Sequence, residues 1–135
     1  MIHHVMAHAI DDMPLFRDDD DRAAFRTMLK QGLRSTGFEC YSWSLMTNHY
    51  HLEVRTNHKH LAELMRPLNS RYAKHYNRRH SRRGYLFRER YNSVLYSDHE
   101  YALNLARYIH LNPLKAGICC SMEELNSWPW SGHAA

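Results

Sequence analysis

The stretch ECYSWSLMTNHYHLEV, Glu39–Val54, decides how this chain folds. Glu39 to Met46 reads as a strand. Thr47 and Asn48 form a turn, and the chain re-enters extended structure at His49. Two strands joined this tightly must be antiparallel neighbours. Side chains in a strand alternate between faces, so Tyr50, Leu52 and Val54 share one side and His49, His51 and Glu53 share the other. The apolar side packs on a core. The imidazole side calls for a different explanation.

Working outward, Ile2–Ala9 has the length and apolar content of an opening strand, with imperfect alternation. The acids Asp18–Asp21 lead into a helix with apolar positions Phe25, Met28, Leu29 and Leu33. They suit the positive end of its dipole, and Gly37 is a natural stop. A second helix is predicted over Leu61–Arg79, with Leu61, Leu64, Met65, Leu68 and Tyr72 on one face. Pro67, lacking an amide donor, should kink or restart it. A short strand is expected near Tyr91–Leu95. Ser97 or Asp98 would cap a third helix from His99 to about Leu111, ended by Pro113 and Gly117. The order β-α-β-β-α-β-α implies an α+β fold, a single-domain α/β sandwich over residues 1–135. Its central antiparallel sheet would have a ferredoxin-like or RRM-like β-α-β-β-α-β core, with two crossover helices on one face. The C-terminal helix is left for the histidine face.

Composition bounds the function. A chain of 135 residues with 44% hydrophobic and 24% charged residues is expected to form one soluble globular domain. No apolar run approaches the ~20 residues of a membrane helix, and MIHHVMAHAIDD lacks the basic start and apolar centre of a signal peptide. Cys40, Cys119 and Cys120 cannot close a disulfide framework and lack zinc-site spacing, so a reducing cytoplasm is expected. Charge is concentrated: Arg66–Arg90 holds nine Lys/Arg against the single acid Glu89, so the rest of the chain is net acidic. Such a run is often a solvated helix face. Here Tyr72, Tyr76, Tyr85, Phe87 and Tyr91 interleave with the bases, and cations that follow phosphates beside aromatics that stack on unpaired bases suit nucleic acid. Arg71, Lys74, Arg78, Arg79, Arg82, Arg83, Arg88 and Arg90 are the expected DNA contacts.

Along the third helix, Tyr101, Leu105, Tyr108 and Asn112 fall on one stripe at helical spacing. An imidazole pair, a phenol and a carboxamide would then meet over the open sheet face. Two neutral imidazoles and an amide oxygen can hold a divalent ion, which would polarise a phosphate, and a tyrosine beside it can act as a nucleophile. Each residue taken alone has a plainer reading. A His-X-His pair is unremarkable among twelve histidines, Tyr108 could be a core aromatic, and Asn112 before Pro113 could be a helix cap.

Together, the segments LFRDDDDRAAF, YSWSLMTNHYHLEV, RYAKHYNRRHSRRGYLFRERY, ARYIHLNPLKAG and WPWS resemble the single-tyrosine HUH transposases, IS200-like, and in particular the branch associated with repeated extragenic palindromes (REP). The resemblance runs nearly end to end. It implies that His49 and His51 are metal-binding histidines, that Asn112 is a further metal ligand, and that Tyr108 is the nucleophile. It implies Mg²⁺ or Mn²⁺ as cofactor and single-stranded DNA with hairpin or palindromic ends as partner, with a homodimer left open and a nucleoid-associated, cytoplasmic location in bacteria. The implied reaction joins the tyrosine to a 5′ phosphate and frees a 3′ hydroxyl. Two departures stand out: Thr47 where proline is more usual, and MAHAIDD in place of a glycine-containing segment. A hairpin-binding protein without cleavage, and a phosphodiesterase using metal-activated water, remain open alternatives.

Overall fold

The computed structural model describes residues 1–96, 99–115 and 129–130, with backbone alone at 96, 99–103 and 115. Four strands and three α-helices follow in the order β1 (Ile2–His8), α1 (Asp19–Thr36), β2 (Glu39–Leu45), β3 (His49–Arg55), α2 (Ala62–Arg79), β4 (Asn92–Tyr96) and α3 (His99–Lys115), with a 3-10 turn at Ile10–Asp12. The sheet order is β2-β3-β1-β4, and every neighbouring pair is antiparallel. This is the β-α-β-β-α-β arrangement expected from the tight β2–β3 connection, because each crossover helix returns the chain to a strand that is not an immediate neighbour.

The main core lies between the sheet and α1/α2. Val5, Ala7, Tyr50, Leu52 and Val54 meet Phe25, Leu29, Leu64, Met65, Leu68, Tyr72 and Tyr76 there. Full burial of one such apolar side chain contributes about 1.5–3 kcal/mol, so this layer dominates stability. The two helices lie so close that a Cβ on Gly32 would sit 2.6 Å from Leu64 Cδ1. On the opposite face α3 packs mainly over β2, burying Leu105 and Ile109. The segment at Trp130 closes the β2 edge: Leu45 N–H donates to its carbonyl (2.8 Å), its indole donates to Asp19 (2.9 Å), and Arg26 lies over its ring. Among the described residues no helix is long and apolar enough to cross a membrane.

The acid run caps α1 as its composition implies. Asp18 accepts from Asp21 N–H, Asp21 accepts from Arg17 N–H, and Gly37 ends the helix at φ 77°. At Pro67 α2 does not restart: it runs through as one helix, with the proline in its second turn, where only one backbone bond is lost. One expectation needs correction: α3 continues through Pro113 to Lys115, and the proline is buried. Ser97, Asp98, Gly117, Cys119, Cys120 and the side chain of Tyr101 lie outside the described residues.

The basic segment divides into two groups. Asp21 is wholly buried and takes Arg79 Nη1 (2.7 Å) and His80 Nε2 (2.8 Å), while Arg79 also bridges to Asp18. Hydrogen bonds from Arg79 hold the Asp18 carboxyl far below the usual carboxylate range. Arg79 therefore ties the end of α2 to the start of α1. Arg82 likewise spends its guanidinium on Asn77 Oδ1, Gly84 O and Tyr85 O. Arg79→Ala would leave a buried carboxylate without its main cation. It is expected to lower the urea midpoint, an effect softened by the His80 and Arg17 N–H bonds that Asp21 keeps.

Candidate metal and nucleophile site

His49 and His51 open β3 immediately after the turn, and the two-residue period brings both rings to the α3 side. Their Nε2 atoms face each other at 3.1 Å. The tautomers follow from the outer partners. His49 Nδ1 donates to Asn48 Oδ1 at 2.7 Å, because a carboxamide oxygen can only accept, so His49 Nε2 carries a lone pair. Asn112 Nδ2 lies 2.7 Å from His51 Nε2 and donates to it. The His51 proton therefore sits on Nδ1, 3.0 Å from His4 Nε2, which accepts it.

The two Nε2 atoms face each other at 3.1 Å with the Asn112 amide beside them, so three polar groups converge where a divalent ion could be held. Both rings are also neutral. Burial, aided by the neighbouring imidazoles, pushes His51 down to about 3, and burial, aided by His8, pushes His49 down to about 4. Histidine binds metal as the neutral imidazole, and its second nitrogen is ordinarily held by a hydrogen bond of the kind that Asn48 and His4 make here. The donor set therefore fits a divalent ion. Among the described residues no three His, Cys, Asp or Glu side chains converge as a ligand cluster, so a third protein ligand would be the Asn112 amide. A half-turn of that amide exchanges Nδ2 for Oδ1.

Tyr108 comes from α3, one turn before Asn112. Its ring stands edge-on to His51, centroids 6.1 Å apart and planes at 85°, and it is 45% exposed. The structure thus brings together all four residues singled out in the sequence. It also adds three. His8 stacks on His49 at 4.6 Å, His4 stacks on His51 at 5.3 Å, and Asn48 fixes His49. The strand spacing could have shown two of them, since His4 and His8 lie an even number of residues apart and so share a face of β1.

Glu53, on the same face of β3, is 2% exposed, and its Oε2 has no hydrogen-bond partner among the described residues. Burial raises its carboxyl to about 7 from 4.5. The folded chain then holds this proton more tightly than the unfolded chain, so stability falls as pH climbs through that interval. Glu53→Gln is expected to add on the order of 1–3 kcal/mol at pH 8 and nothing at pH 4, read from denaturant midpoints.

Of the expected DNA contacts, all but Arg82 are exposed, Arg79 while paired with Asp18 and Asp21. Arg71 reaches Gln31 Oε1 (3.1 Å), and Arg88 lies 3.6 Å from Asp12 while staying half-exposed.

Sequence comparison places this arrangement in a family. Residues 1–112 match the model of the family described as "Transposase IS200 like". The chain belongs to that transposase family. Among solved structures, it is similar to a REP-associated tyrosine transposase bound to a REP hairpin, at 14% identity and a TM-score of 0.78, covering 96% of this chain and 74% of the other. It is also similar to a proposed transposase of Deinococcus radiodurans R1, at 18% identity and a TM-score of 0.57, covering 81% and 88%. At these identities the likeness is one of fold. No curated protein matches the chain in sequence.

Proposed function

We propose that this transposase-family protein cuts and rejoins single-stranded DNA beside a hairpin, with Tyr108 as the nucleophile. The observation that carries the reading is the pair of Nε2 atoms facing each other at 3.1 Å with the Tyr108 ring against His51. Family membership supports it, as does a REP hairpin bound to a protein of the same fold. A Mg²⁺ or Mn²⁺ ion held by His49, His51 and Asn112 would polarise the phosphate and offset the charge that develops on it.

The chain's own groups do the rest. Tyr108 Oη gives up its proton to solvent and forms the bond to phosphorus. The bond from phosphorus to the 3′ oxygen breaks, and that oxygen takes a proton to become a free hydroxyl. The 5′ phosphate stays on Tyr108, and the 3′ hydroxyl of the same or another strand can reverse the step. Tyr108 and His51 of one chain already meet, which supports action in cis. Lys74, Arg78, Arg83, Arg88 and Arg90 hold phosphates along the strand. Each contact removed should lower the salt slope by roughly 0.7.

His4 keeps His51 in the metal-binding tautomer. His4→Ala is expected to weaken Mn²⁺ binding about 10- to 100-fold by calorimetry. His4→Gln, whose amide oxygen can accept the same proton, should recover part of that loss.

The test of the function is a nicking assay on single-stranded hairpins drawn from the DNA flanking the gene. Mn²⁺-dependent nicking at one phosphate, abolished by chelator, is the expected outcome. A chain that binds these hairpins but never nicks them would reduce the proposal to a binding protein.

A further inference from the structure

Residues 84–90 border a cleft beside the phosphate-binding Arg88 and Arg90. It has a volume of about 480 Å³, with Asn69, Ser70 and Ala73 of α2 on one wall and Tyr85, Arg88 and Arg90 on the other. Three features point to its occupant.

The Tyr85 ring is 84% exposed, yet the backbone that presents it is braced. Asn77 Nδ2 donates to Gly84 O (2.9 Å), Arg82 Nη2 donates to Tyr85 O (2.8 Å), and Gly84 takes the turn at φ 93°. A flat ring on fixed backbone can stack on a ligand with little further ordering cost.

Asn69 is oriented from below. The hydroxyl of wholly buried Tyr50 donates to its Oδ1 at 2.7 Å, which leaves the amide N–H groups to serve as donors at the cleft.

The segment is also pinned to the imidazole end of the sheet. Arg88 N–H donates to His8 O (3.0 Å), Ile10 N–H donates to Leu86 O (2.7 Å), and His8 stacks on His49. The cleft thus lies at the same end of the sheet as His49 and His51 but on its α2 side, so a strand that reached both would round that end.

We propose that this cleft receives one unpaired nucleobase of the DNA strand, stacked on Tyr85, with the adjoining phosphates on Arg88 and Arg90. The proposal rests on the single-strand DNA reading above and adds to it a subsite for a base. Stacking tolerates any base, because every base has a π-face. The Asn69 donors favour bases that present a carbonyl or ring-nitrogen acceptor at the edge entering the cleft.

The test uses the full chain and two probes of equal length, an oligothymidine strand and a strand of abasic sites with the same phosphates, measured by fluorescence anisotropy. The wild type should prefer oligothymidine by about 5- to 150-fold, the equivalent of one stacked base. Tyr85→Ala should erase the preference while leaving affinity for the abasic strand unchanged, and Tyr85→Trp should retain it. Ser70→Phe, which fills the cleft from an exposed helix position, should also erase it. Equal wild-type affinity for the two probes would overturn the base site while leaving the phosphate-binding reading intact. So would a preference that survives Tyr85→Ala. No binding of either probe would overturn both readings.

Discussion

Tyr108→Phe is expected to bind Mn²⁺ and hairpin DNA as the parent chain does, and to leave the strand uncut. The substitution keeps the ring that stands against His51 and removes only the oxygen that would bond to phosphorus. Tyr108 is 45% exposed and only one oxygen is removed, so the stability change should be about 1 kcal/mol or less. Loss of the nucleophile should lower cleavage by about a thousand-fold or more, with binding constants unmoved. The alternatives part here. If water were the nucleophile, the phenylalanine variant would still cut. If the chain only bound hairpins, neither protein would cut and their affinities would agree.

The second large effect belongs to the imidazole pair. His49→Ala with His51→Ala should lower Mn²⁺ affinity by about a hundred-fold or more in calorimetry, beyond the loss from an outer partner such as His4. Cleavage should fall with it. His51 is 2% exposed beneath α3, so the double variant leaves a small cavity, and circular dichroism must accompany the titration. His49→Ala alone, at a half-buried position at the start of β3, is the cleaner variant and should still lose most of the affinity. Unchanged Mn²⁺ binding in the folded double variant would return the pair to the status of hydrogen-bonded packing residues.

Much of this arrangement was readable from residue order. The two-residue period in NHYHLEV put His49 and His51 opposite Tyr50 and Leu52, and the Thr47–Asn48 turn fixed β2 beside β3. The stripe on α3 put Tyr108 and Asn112 on the histidine side. What escaped was long-range pairing. That His4 supports His51 depends on the β1–β3 register, which sets His4 opposite Glu53 and Met6 opposite His51, and a strand's sequence carries no register of its own. The third helix was expected to cover the histidine face, and it does, but the degree of burial there, 2% exposure at His51 and Glu53, was not legible. Burial of this kind follows from how a terminal helix docks, which helical periodicity alone cannot give.

The basic run shows the same limit. Charge counting treats Arg79 like its neighbours, yet the fold sets Arg79 against Asp18 and Asp21. Pro113 misled for a different reason. A proline near a helix end removes one backbone bond, which the packing of a buried ring can offset, and α3 runs on to Lys115.

The central claim is that the Tyr108 oxygen becomes bonded to a 5′ phosphate of the DNA. It is tested most directly by incubating the protein and Mn²⁺ with hairpin strands labelled at either the 5′ or the 3′ end, then separating the products on denaturing gels. The expected result is a band retarded by covalently attached protein that carries only the 3′ label, with the 5′ label on a free fragment ending in a hydroxyl. Free fragments from both labels with no attached protein, or the same attached band formed by Tyr108→Phe, would contradict it.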